Sequence, residues 1–156
     1  GNVISGNMKI KNQLTKVPKS LHPLLDPMIE MQTEYTFLSW KDDVLLMPVS
    51  ITDDISLLQS VLYIKKAGIN MGSIIRDELI PSHELAMASV LSPKIPSMEI
   101  DLDDALQYLR RAYMKLNTTM KGWVLVKYNG ITLGWIKVLP NRMNNYYPKD
   151  WRILNK

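Results

Sequence analysis

The chain is organised around one stretch, Gly122 to Ile153, in which two largely apolar runs are followed by a basic, aromatic tail. Trp123 to Tyr128 and Ile131 to Val138 are two runs rich in valine, isoleucine and aromatic residues. Asn129-Gly130 lies between them, and this pair suits the two positive-φ positions of a type I′ turn. The pattern predicts a β-hairpin. A two-residue turn also fixes register, placing Tyr128 opposite Ile131, Val126 opposite Leu133 and Val124 opposite Trp135. That face is apolar apart from Lys137 and is expected to be core. Trp123, Leu125, Lys127, Thr132, Gly134 and Ile136 fall on the other, mixed face.

Earlier in the chain the same reading gives a second hairpin. Tyr35 to Trp40 and Val44 to Ile51 are its strands, with Lys41-Asp42-Asp43 as the turn. The run VLLMPVSI is almost wholly apolar, so burial on both sides is expected, and Pro48 restricts it to a strand end, a bulge or an edge. Ser60 to Lys65 and Ile69 to Arg76 form a further strand pair broken at Ala67-Gly68. Gly72 marks a bulge or a close backbone approach. Ser82 to Leu91 reads as a helix with Ser82 as N-cap and Glu84 in its first turn. Asp101 caps a second helix, LDDALQYLRRAY, with Asp104 three residues on in a carboxylate variant of the capping box. Its spacing puts Leu102, Leu106 and Leu109 or Tyr113 on one face. Residues 1–34, in which lysine and proline alternate through Lys16-Val17-Pro18-Lys19 and Pro23 and Pro27 follow, read as a linker or docking segment, with Leu24-Leu25 and Met28-Ile29 available to pack and a short helix over about Pro27 to Gln32.

Composition narrows the chemistry. With 156 residues and 46% apolar content there is material for one ordinary domain, or for one domain with an appendage. Cys is absent, which removes disulfides, thiolate metal sites and a cysteine nucleophile from this chain. The two histidines, His22 and His83, are far apart, so no histidine-rich metal cluster is expected. His83 is expected at an exposed first turn of its helix, as a helix-start residue and not a catalyst. No apolar run approaches the roughly 20 residues of a membrane span. The start lacks the apolar core of a signal peptide. Beginning on Gly and not Met, the chain is expected to be an excised piece of cytoplasmic origin. There is no glycine-rich phosphate loop, GxGxxG, GxSxG or metal-ligand spacing. The acid pairs Asp53-Asp54 and Asp103-Asp104 sit at a strand end and a helix start, and neither reads as an acid–base pair.

Charge is unevenly placed. From Ala105 to Lys156 there are ten Lys or Arg against the single acid Asp150, a net of +9, on a chain whose total is only +4. Such an end suits a polyanion. Arg110, Arg111 and Lys115 near a helix end also complement the macrodipole, which by itself accounts for the arginines. After the hairpin, Pro140 to Arg152 is too polar for a core strand and too aromatic for a plain solvent loop. Arg and Lys can hold phosphates, Asn can read base edges, and Tyr and Trp can stack on unpaired bases. The other reading is a loop whose tyrosines pack back on the sheet while its charges stay wet.

The stretch KAGINMGSIIRDELIPSHELAMA, the DALQYLR helix, and the closing YNG turn, GW-x-K and N-x-x-NNYYPK-x-WR resemble the C-terminal, PUA-like region of bacterial Sun-type (RsmF-like) rRNA cytosine-carbon-5 methyltransferases. The resemblance covers about residues 40–154 and is most specific in the closing motif. It implies an α+β fold, a PUA-like mixed β-sheet or partial barrel with short flanking helices, over residues 35–156. It implies a parent enzyme of the Nol/Nop/Sun family that uses S-adenosylmethionine, with two cysteines in a Rossmann-like domain. This chain has neither cysteine, so an RNA-binding accessory domain without its own cofactor is implied, not an enzyme. Carried over by motif, the RNA-binding residues are Lys137, Arg142, Asn144, Asn145, Tyr146, Tyr147, Lys149 and Arg152. The implied partners are ribosomal RNA and the chain's own methyltransferase domain, with a monomer expected. The alternative is a structural domain that packs on the methyltransferase domain without touching RNA. No constellation supports an independent small-molecule enzyme.

Overall fold

The computed structural model describes residues 14–49, 62 and 68–154. They fall into two compact units divided between Ser92 and Pro93. The first holds a five-stranded antiparallel sheet whose strands lie in sequence order: β1 (Thr15–Lys16), β2 (Tyr35–Trp40), β3 (Asp43–Pro48), β4 (Ile69–Ile75) and β5 (Glu78–Pro81). The β2–β3 hairpin is the one expected, tightened so that Trp40 pairs with Asp43 across Lys41 and Asp42. Val44, Leu45, Leu46 and Met47 are all buried, as an unbroken apolar run requires, and Pro48 closes the strand. Thr15 and Lys16, in the segment read as a linker, pair with Ser39 and Leu38. Leu25 and Ile29 of the same segment are buried, while Thr15 and Lys16 stay exposed.

The helix expected over Pro27 to Gln32 is displaced. An α-helix, α1, occupies His22–Leu25, and Asp26–Met28 continues it as a 3-10 turn. Pro23 stands in the first turn of α1, where its missing N–H has no helical partner to lose.

The strand expected from Ser60 to Lys65 lies outside the described residues apart from Leu62, as do Ala67, Ile51, Asp53 and Asp54. Its expected partner is present as β4, which pairs with β3 on one side and β5 on the other. Gly72 meets both expectations. Val44 pairs with Gly72 and Leu45 with Asn70, leaving Met71 as the extra residue of a bulge. Gly72 has φ 123°, and a Cβ there would stand 2.0 Å from the Ile80 carbonyl oxygen.

Two departures from expectation follow. β5 was not legible, because its Arg76-Asp77 turn reaches φ of 51° and 59° without glycine or asparagine. The helix expected from Ser82 to Leu91 is α2, only His83–Met87. Ser82 caps it by accepting the Leu85 N–H at 3.0 Å, and it ends where Ala88 turns extended.

The second unit holds a mixed sheet in the order β6 (Ser97–Glu99), β7 (Gly122–Tyr128), β8 (Ile131–Val138) and β9 (Met143–Asn145), with β6 parallel to β7 and the rest antiparallel. The helix α3 (Leu102–Leu109) lies between β6 and β7 in sequence. Asn129 and Gly130 have φ of 48° and 76°, the type I′ geometry. Tyr128 faces Ile131 as expected, but the register then shifts. Lys127 pairs with Thr132 and Val126 with Gly134, so Leu133 is an extra residue. Beyond this bulge Val124 faces Ile136 and Leu125 faces Trp135. The expected pairs Val126–Leu133 and Val124–Trp135 are therefore corrected, because one inserted residue exchanges the faces of all that follows.

The core of this unit is Val124, Val126 and Ile136 against Ala105 and Tyr108 of α3, with Ile100 and Met114. Trp135 and Leu125 are also buried, on the opposite face of the strands. Two open sheets with short helices make an α+β fold, and among the described residues neither sheet closes into a barrel.

Candidate nucleic-acid interface

The end of α3 organises the basic surface. Asp101 starts the helix by accepting the Asp104 N–H at 2.8 Å, a cap of about 1 kcal/mol. Burial, with the neighbouring Asp101 and Asp103 charges adding to it, holds the Asp104 carboxyl above its ordinary range. The helix was expected to reach Tyr113 but stops at Leu109. Arg111 swings to φ 55°, its N–H bonds the Tyr108 carbonyl, and the Ala112 N–H bonds that of Gln107, which is a Schellman close. The C-terminal segment adds a second donor to the Tyr108 carbonyl and a first to that of Leu109. The Asn145 side-chain amide donates to Tyr108 O at 2.9 Å, and the Ile153 N–H donates to Leu109 O at 2.9 Å. The face expected from spacing is also corrected. Ala105 and Tyr108 are the buried positions, while Leu102 is 54% and Tyr113 72% exposed. Tyr113 is not on the helix at all, because the chain has already turned.

Each of the eight residues carried over from the motif can now be placed. Asn145 and Tyr147 are turned to folding. Besides its bond to Tyr108, Asn145 accepts the Tyr147 N–H on Oδ1 at 2.9 Å, and the Tyr147 ring packs 5.5 Å from that of Tyr108. The Tyr108 hydroxyl donates to the Trp135 carbonyl at 2.9 Å, and burial pushes its pKa well above the ordinary tyrosine value. Lys137, Asn144 and Tyr146 are gathered with Trp123. Trp123 pairs with Lys137 and Lys137 with Asn144 in one row across β7, β8 and β9. Tyr146 meets the Trp123 ring edge-on at 4.5 Å, and Lys137 Nζ stands 5.4 Å from that ring's centre. The Trp123 indole N–H is enclosed, so that edge is closed to a ligand.

Arg142, Lys149 and Arg152 are exposed, and no hydrogen bond or ion pair ties their side chains among the described residues. Arg142 stands at the β8–β9 turn, where its carbonyl accepts the Leu139 N–H. Lys149 and Arg152 begin and follow a 3-10 turn, Lys149–Trp151.

Two hollows adjoin this surface. One, of about 430 Å³, is lined by Arg111, Tyr113, Asn144 and Tyr146 among others. The other, of about 210 Å³, is lined by Lys115, Arg142 and Asn141, again with Tyr113. Tyr113 and Lys115 are functional candidates that helical spacing concealed, since it assigned Tyr113 to a helix face. Arg110-Arg111 followed by no glycine gave no signal that the helix would close so early. Among the described residues no group of three or more His, Asp or Glu could hold a metal ion. No helix there is long and apolar enough to cross a membrane.

Comparison with known proteins points to one family. Residues 95–153 match the family model for the methyltransferase RsmF PUA domain. Three relatives carry the name ribosomal RNA small subunit methyltransferase F. That of Shewanella loihica is 26% identical over 124 residues, covering 78% of this chain and 24% of the relative. That of Vibrio parahaemolyticus is 26% identical over 146 residues, covering 90% and 29%. That of Shewanella sp. strain W3-18-1 is 30% identical over 114 residues, covering 70% and 23%. The chain thus spans only about a quarter of the length of these curated relatives.

Proposed function

From the premise that residues 95–153 are a PUA domain of the RsmF-like methyltransferase kind, we propose that this chain is the RNA-binding part of an rRNA methyltransferase. It holds ribosomal RNA so that a separate S-adenosylmethionine-dependent domain of the parent protein reaches its cytosine. The observation that carries this reading is the set of exposed cations Arg142, Lys149 and Arg152, none of them used inside the fold, on a segment of net charge +9. Cations that fold stability does not consume are available to phosphates.

The alternative role, packing on the methyltransferase domain, draws on the same segment. Asn145 and Tyr147, two motif residues that the fold itself consumes, are engaged inside the unit instead of being presented to RNA.

Binding of the chain to a ribosomal RNA helix-loop at 50 and 200 mM salt separates the two. The expected result is an affinity that falls steeply with salt. The log–log slope should shrink by about 0.7 to 0.9 for each phosphate that Arg142→Glu or Lys149→Glu leaves unneutralised. No binding at low salt would assign the segment to domain packing.

A further inference from the structure

We infer that Tyr113 is a stacking platform for an unpaired RNA base, with the two hollows that it lines taking the flanking nucleotides. This deepens the RNA reading above and rests on it. Tyr113 and Trp151 are the exposed aromatic side chains among the described residues, and Tyr113 is the more exposed at 72%. The neighbouring tyrosines of this unit have structural work. Tyr108 pairs with Tyr147 and Tyr146 packs on Trp123. No hydrogen bond or ring contact engages Tyr113 among the described residues. Leaving a large ring in water on a basic surface forfeits its burial energy, and a base has a π-face that recovers it.

The two hollows that Tyr113 lines suit neighbouring nucleotides. The larger hollow, about 430 Å³, falls in the size range of small-ligand sites and offers the Asn144 amide for a base edge. The smaller one, which Tyr113 also lines, brings Lys115 and Arg142, both exposed, to the same residue. Cations that flank a free aromatic ring form the arrangement by which single-stranded nucleic acid is held, with phosphates on the charges and a base on the ring.

The geometry around Tyr113 is also rigid enough to present the ring. Arg111, two residues before it, is fixed by the helix close and by donating through Nη2 to the Asn145 carbonyl at 3.0 Å. Met114, the next residue, is buried and bridges Met143. The ring is thus held between two anchored neighbours while remaining in solvent.

The test is a fluorescence-anisotropy titration of the full chain with a labelled single-stranded RNA decamer of mixed sequence and with the matching blunt duplex. Wild type, Tyr113→Ala and Tyr113→Phe are compared. Loss of one stacked base weakens Tyr113→Ala roughly 5- to 150-fold on the single strand. The duplex should change little, and Tyr113→Phe, which keeps the ring, should bind the single strand as wild type does. Equal affinity of wild type and Tyr113→Ala for the single strand overturns this inference and leaves the RNA reading standing. Equal losses on strand and duplex also overturn it. A wild-type chain that binds neither RNA overturns both.

Discussion

The Asn145 side-chain amide lies 2.9 Å from the Tyr108 carbonyl, joining the edge strand of the second sheet to the C-terminal end of its helix. The same side chain accepts the Tyr147 N–H, so one residue holds two segments of the closing motif against α3. Asparagine is suited to this because it donates and accepts at once. A residue whose surroundings suggested base recognition is thereby committed to satisfying a helix end. Its neighbour Asn144, one position along β9, pairs with Lys137 on the other face and lines the larger hollow. The alternation of the strand divides the Asn-Asn pair between folding and surface.

Asn145→Ala is expected to lower stability by about 1–3 kcal/mol, the sum of two part-buried hydrogen bonds. For a unit of this size each kcal/mol lowers the midpoint by roughly 4–8 °C. Thermal unfolding followed by tryptophan fluorescence is the check. Arg142→Glu should leave the midpoint within about 2–4 °C while weakening RNA binding. An Asn145→Ala midpoint equal to wild type would mean that the amide serves a ligand instead.

Much of this arrangement was legible in the sequence, and the failures share a cause. Asn129-Gly130 located the hairpin because few residue pairs accept two positive φ values. The bulge at Leu133 was invisible because nothing local demands it, and it moved Trp135 from the expected core face to the face it shares with Lys137 and Trp123. Ser82 and Asp101 were legible as caps because a side-chain oxygen before a helix has one evident use. The helix ends were not, since Ala88 and Arg111 adopt their conformations under tertiary packing. The site divided in the same way. Charge and aromatic content marked the right segment. Which side chains the fold consumes depends on the sheet's pleat and on α3, and neither is written in the motif.

Gly72→Ala tests the one close approach that the sequence did announce. The new methyl carbon would lie 2.0 Å from the Ile80 carbonyl oxygen and 2.9 Å from the Ser82 nitrogen, both backbone atoms that cannot swing aside. The φ of 123° is also one that side chains rarely adopt. Strain and clash together should cost at least about 3 kcal/mol. The expected loss is confined to the first unit. Hydrogen exchange should show reduced protection in β3, β4 and β5, with β7 and β8 unchanged. Native protection in β4 would refute the role assigned to this glycine.

A pH dependence follows from His83, at the first position of α2, which was expected to be exposed and is instead half-buried. Burial holds its pKa below the ordinary 6.5 by disfavouring the charged imidazole. The unfolded chain has no such burial and takes up its proton first as the solution is acidified. Stability from this group is therefore complete above about pH 7.5 and is lost as the pH falls through 6.5 toward the lowered folded value. Urea midpoints of wild type and His83→Gln, measured at pH 7.5 and 5.5, test this. Because glutamine does not titrate, the gap between the two proteins should shift in favour of the variant at pH 5.5. A gap that stays constant between the two pH values would show that His83 titrates as freely in the folded chain as in the unfolded one.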